Sequence, residues 1–151
     1  MPKNSDDSEA AKAIVQLGYP MVCPVLRDML LSLKVHNSPV ADIFATFFAQ
    51  LSPQPIELIA KHIGSSSGQL KNRILVDILP AWPKEAVQAL SFNLTMLATH
   101  ADLWNNDIEC FRLIMKHGLA ETTWVKQWID FRREQALDRV RLFNELEKTI
   151  K

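Results

Sequence analysis

Apolar residues recur at three- and four-residue spacing along most of the chain, the interval that aligns side chains on one face of an α-helix. Proline, glycine, serine and asparagine interrupt these stripes. The pattern therefore predicts helices over 7–17, 20–33, 39–51, 55–63, 69–79, 83–99, 105–117 and 122–149. Ser5 or Asp6 suits the N-cap of the first helix, and Gly18 its end. Ser38 before Pro39 reads as an N-cap and first helical position, and Gly118 as a stop. Gly64-Ser65-Ser66-Ser67-Gly68 reads as a loop.

The stripes assign a core. Val22, Leu26, Met29, Leu30 and Leu33 point inward from the second helix, and Phe44, Phe47 and Phe48 from the third. Leu70, Ile74, Leu75, Ile78 and Leu79 follow in the fifth, and Ile108, Phe111, Ile114 and Met115 in the seventh. Two neighbouring helices cannot cover both of their stripes alone, so pairs must stack. Three pairs are expected, over 20–51, 55–79 and 83–117, each beginning at or near proline. The predicted fold is thus all-α: a HEAT-like or α-solenoid array of about three antiparallel helix pairs. A short N-terminal helix and a long C-terminal helix flank it. Residues 1–6 are expected to be a flexible N-terminus, and 7–151 a single domain.

Composition agrees with a helical domain. Of 151 residues 48% are hydrophobic and only four are glycine, poor material for an all-β fold of many tight turns. Lys plus Arg and Asp plus Glu number 17 each, with seven of each sign in 1–80 and ten of each in 81–151. A generic nucleic-acid binder carries a basic excess that this chain lacks. The longest uncharged stretches, 43–56 and 86–101, fall short of the roughly 20 apolar residues of a membrane span. The first residues are acidic and polar, unlike a signal peptide. Cys23 and Cys110 sit among apolar neighbours and read as buried thiols, not a disulfide. The expected compartment is the cytoplasm.

Gly18-Tyr19-Pro20 through Pro24-Val25-Leu26, the Asn37-Ser38-Pro39-Val40-Ala41 helix start, and Lys71 to Leu75 followed by Leu79-Pro80 carry a family resemblance. Over roughly residues 7–120 the chain resembles the bacterial domain of unknown function 5071 family. That resemblance implies a small helical-repeat domain related to HEAT repeats, with no established reaction. Helix 122–149 extends past it.

Candidate chemistry is sparse. His36, His62, His100 and His117 form no His-x-x-x-His pair, and two separated cysteines do not suggest a zinc site. His100-Ala101-Asp102 reads as a polar helix end with a cap for the next helix. His117 beside Gly118 fits a helix C-terminus, where a cationic imidazole suits the dipole. The serine loop lacks the Gly-Lys-Ser/Thr ending of a phosphate-binding loop. No catalytic, cofactor or metal residue is assigned.

The tryptophans Trp82, Trp104, Trp124 and Trp128 are the notable feature, because tryptophan is enriched at binding hot spots. Trp124 and Trp128 read as packing the last helix onto the array. Arg132, Arg133, Arg139 and Arg141 alternate with acids and read as a solvated face. The expected function is a non-catalytic protein–protein interaction module, of which an immunity or inhibitor protein covering a partner enzyme is one form. Asn37, Trp82, Trp104, Asn105 and Asp107 are the expected partner contacts. An alternative is a HEAT-like DNA glycosylase or nucleic-acid binder built around Trp104 and Asp107. A homodimer through helix 122–149 is a third reading.

Overall fold

A computed structural model describes residues 1–35, 37–65 and 67–150. His36 and Ser66, in two of the predicted turns, lie outside the described residues. Every regular element among the described residues is helical: α1 (Ser8–Leu17), α2 (Leu26–Ser32), α3 (Pro39–Gln50), α4 (Ile56–Ser65), α5 (Gly68–Arg73), α6 (Lys84–Gln88), α7 (Ser91–Ala98), α8 (Asn106–His117) and α9 (Thr122–Thr149).

Local chemistry explains several ends. Asp7, rather than Ser5 or Asp6, caps α1 by accepting from the Ala10 amide at 3.4 Å. The Ser38 hydroxyl accepts from Ala41 N at 3.2 Å and donates to the Ser5 carbonyl at 2.8 Å. Ser5, within the N-terminal segment, is thereby tied through its carbonyl to the start of α3. Gly118 closes α8 at φ 61°, a left-handed conformation that glycine adopts without a Cβ penalty. The following Leu119 amide reaches back to Ile114 O at 3.0 Å.

Three predicted helices are more broken than their stripes imply. Over 20–33, a 3₁₀ turn at Cys23–Val25 precedes the α-helix, since Pro24 supplies no amide hydrogen. The turn also leaves Cys23 exposed, so only Cys110 is a buried thiol. Over 69–79, α5 loosens into a π-helical turn at Ile74–Ile78 and then tightens to 3₁₀ at Leu79–Ala81. Pro80 cannot donate to Val76 O and crowds it. Over 83–99, the rod breaks between α6 and α7 with no proline or glycine at the break. Val87, Leu90 and Leu94 are all buried on its two sides, so packing sets that break. Gly64 and Ser65 belong to α4, not to a loop.

The expected pairs do touch: α2 packs on α3, α4 on α5, and α7 on α8. The π-helical turn at Ile74–Ile78 sits between α3 and α8, and α4 meets α7. Phe44, Phe48, Leu30, Leu70, Leu75 and Ile114 are essentially inaccessible. Burial of each contributes roughly 1.5–3 kcal/mol. Phe47, expected inside, is only partly buried. Arg73 bridges Asp42 of α3 at 2.6 Å and Asp77 at 2.8 Å, and burial raises the Asp77 pKa despite that guanidinium.

Candidate functional site

The segment 101–106 is held by one carboxylate. Asp102 accepts from the amides of Trp104 at 2.8 Å and Asn106 at 3.1 Å, and from Asn106 Nδ2 at 2.7 Å. It thus takes up free amides ahead of α8, where negative charge also suits the helix dipole. Asn105 adopts φ 56°, a left-handed conformation that asparagine tolerates better than most residues. Asn106 is buried and donates to Gly68 O at 2.9 Å, fastening the segment to α5.

From this anchor α8 runs with Cys110, Phe111, Leu113, Ile114 and His117 inward. Ile108 and Met115, expected in the core, are instead 47% and 54% exposed. They lie seven residues apart, two helical turns, on the flank that faces α9. Burial, then the nearby charges of Asp107, Asp102 and Glu109, pushes the Cys110 thiol pKa up, so this thiol stays protonated. Burial likewise lowers the His117 pKa, with Lys116 and Lys84 adding to it. The cationic form expected from the helix dipole is therefore disfavoured.

An aromatic ladder seats the first half of α9. Phe111 and Trp124 have centroids 6.3 Å apart, Trp124 and Trp128 6.1 Å, and Trp128 and Phe131 5.5 Å. Val125 is buried and Ile129 partly so. The end of this contact is an ion pair: Arg132 Nη2 donates to Asp107 Oδ2 at 3.0 Å and Nε at 3.3 Å, with both side chains largely buried.

Between α8 and α9 opens a cleft of about 550 Å³, adjoined by a second of about 480 Å³ toward Gln135 and Asp138. Ile108, Phe111, Met115, Ile129 and Ala136 supply apolar walls, and Arg112, Arg132, Arg133 and Arg139 the rim. Three of those arginines have carboxylate partners: Arg112 with Glu109, Arg132 with Asp107 and Arg133 with Asp130. Arg139 has no ion pair among the described residues.

The predicted contact residues scatter. Asn105 and Asp107 line the cleft, although Asp107 faces it from within its ion pair. Trp104 is 40% exposed beside them, its indole laid against Gly68 and its carbonyl accepting from Asn72 Nδ2 at 3.1 Å. Asn37 is exposed at φ 53° in the α2–α3 turn and does not line the cleft. Trp82 must be corrected: it is 2% exposed and donates Nε1–H to Phe48 O at 3.0 Å, a core side chain that offers a partner no surface. Sequence reasoning missed Ile108, Met115 and Arg139. Their signal was weak: a stripe slightly too wide for one buried face, and an arginine within a run of mixed charge.

Among the described residues no helix is long and apolar enough to cross a membrane. No group of three or more His, Cys, Asp or Glu side chains among them could hold a metal ion. No family model, curated protein or solved structure matches the chain.

Proposed function

We propose that this protein is a non-catalytic interaction module in which a rigid HEAT-like helical array presents the α8–α9 cleft to another protein. The carrying observation is the exposure of Ile108 and Met115 on the wall of that cleft, beside the uncommitted Arg139. Apolar walls beside Arg139, which has no ion pair among the described residues, suit a partner segment with apolar anchors and a carboxylate flank, the chemistry of helix-in-groove recognition. The array reading draws support from the three touching pairs and from the way α3, the Ile74–Ile78 turn and α8 follow one another in contact. An immunity or inhibitor role, with this face covering an enzyme's active site, is the narrower form of the same reading.

The engagement of Asp107 by Arg132 supports a non-catalytic role, because that carboxylate is occupied as a structural partner. The test is pull-down of the product of an adjacent gene, with Ile108→Asp/Met115→Asp as the comparison. Both positions are half-exposed, so the variant should keep its helical circular dichroism and lose capture. Capture unchanged by the double substitution would exclude the cleft.

A further inference from the structure

We propose that the distal half of α9, residues 136–149, together with Ile150 at its C-cap, is a self-association arm that crosses the same segment of a second copy in antiparallel fashion at Phe143. At 3.6 residues per turn, Val125, Ile129 and Arg132 share a face with Ala136, Val140, Phe143, Leu146 and Ile150. The first three are seated on α8, directly or through Asp107. The others continue the same face beyond the body, with Val140 55%, Phe143 64% and Leu146 60% exposed. Every residue from 133 to 150 is exposed. Most helical stability in proteins comes from packing an amphipathic face, so an arm of this length with an open stripe calls for a covering surface.

The order of residues on that stripe identifies the occupant. About Phe143 it reads alike in both directions: Val140 and Leu146 at three residues, Ala136 and Ile150 at seven, and opposite charges, Arg139 and Glu147, at four. A two-fold interface requires such self-complementarity, since residue i of one copy meets j of the other and j meets i. Antiparallel crossing at Phe143 sets Arg139 of each copy beside Glu147 of the other, and small Ala136 beside Ile150. Parallel in-register pairing would oppose arginine to arginine and glutamate to glutamate. Neither Arg139 nor Glu147 has an intramolecular ion pair among the described residues, whereas Arg133 and Arg141 on the same helix do. Ala136 and Arg139 belong to both the cleft lining and this arm, whereas Ile108 and Met115 on the α8 wall belong to the cleft alone, so substitutions at those two separate the readings.

Sedimentation equilibrium over a roughly hundredfold range of concentration tests it. The full chain should show a monomer–dimer equilibrium, and Phe143→Glu should stay monomeric with unchanged helicity. Arg139→Glu, which turns two attractive pairs into two repulsive ones, should weaken dimerisation about tenfold. Arg139→Glu/Glu147→Arg should restore it. Oxidative cross-linking in a Cys23→Ser background fixes the direction. Ala136→Cys mixed with Ile150→Cys should give the mixed disulfide in preference to either homodisulfide. A chain that is monomeric throughout, a Phe143→Glu dimer, failure of the charge swap to restore association, or a dominant 136–136 disulfide would each overturn the proposal. Ile108→Asp/Met115→Asp should still dimerise, so failure of the cleft reading stays distinguishable from failure of this one.

Discussion

Trp82 donates its indole N–H to Phe48 O from inside the core, and that bond makes a loop tryptophan part of the scaffold. Trp82→Phe keeps most of the apolar volume and removes one of the two donors to Phe48 O, leaving the Leu51 amide at 3.2 Å. Urea unfolding should show a loss of about 0.5–1.5 kcal/mol, the worth of a single hydrogen bond. The Gly68–Trp104 contact has the opposite logic. Alanine is ordinarily better than glycine in a helix by up to about 1 kcal/mol, yet a Cβ at position 68 would run into the Trp104 ring. Gly68→Ala should therefore destabilise the wild type and become neutral or stabilising in a Trp104→Ala background. A stabilising effect in both backgrounds would mean that the ring does not rest there. His117 gives a pH signature. Its folded pKa lies below the ordinary 6.5, so the unfolded chain takes the proton more readily. Its contribution should fade as pH falls through about 6.5 and level off below the lowered folded pKa. His117→Gln should flatten this part of the stability curve, read as the wild-type minus variant difference in denaturant midpoint between pH 7 and pH 5.

At the scale of elements, the sequence pattern located helices well where a cap or stop residue fixed the end. Ser38 before α3 and Gly118 after α8 stand where expected, and helix 122–149 is found as α9 although no side chain caps its N-terminus. It failed where the stripe ran on through a change of winding. A π turn, a 3₁₀ turn and an α-helix can all bury Ile74, Leu75, Ile78 and Leu79, so periodicity cannot separate them. The α6–α7 break has no local signal because distant packing imposes it. The Asp107–Arg132 pair was equally illegible, since it joins residues 25 apart in sequence and depends on how α9 lies on α8. Removing one partner leaves an uncompensated charge in a largely buried place. A double-mutant cycle with Asp107→Asn and Arg132→Met should therefore return a coupling of about 1–3 kcal/mol. Additive effects would reduce the pair to a surface ornament.

At the scale of the whole molecule, α9 is two things in one helix. Its first half is a structural strut, sealed to α8 by Trp124, Trp128, Val125 and the Asp107 pair. Its second half makes no contribution to the core, although its apolar spacing looks the same in sequence. Spacing reports which face of a helix is apolar; it carries no information on where the body underneath stops. The cleft was hidden for the same reason, because Ile108 and Met115 belong to the α8 stripe but sit past the edge of what α7 and the π turn can cover. Truncation separates the two halves. Ending the chain after Gln135 removes only exposed residues and spares the Arg132–Gln135 hydrogen bond of 2.6 Å. At concentrations where the chain is monomeric, its urea midpoint should equal that of the full chain. Ending it before Thr122 uncovers Phe111 and deletes Trp124, Val125, Trp128 and Ile129, of which only Val125 is fully buried. At about 1.5–3 kcal/mol for each fully buried side chain, the loss should be roughly 3–6 kcal/mol. If the chain ended before Thr122 were as stable as the one ended after Gln135, the aromatic ladder would not be holding α9 to the body. If the longer chain lost as much as the shorter, the distal arm would belong to the core after all.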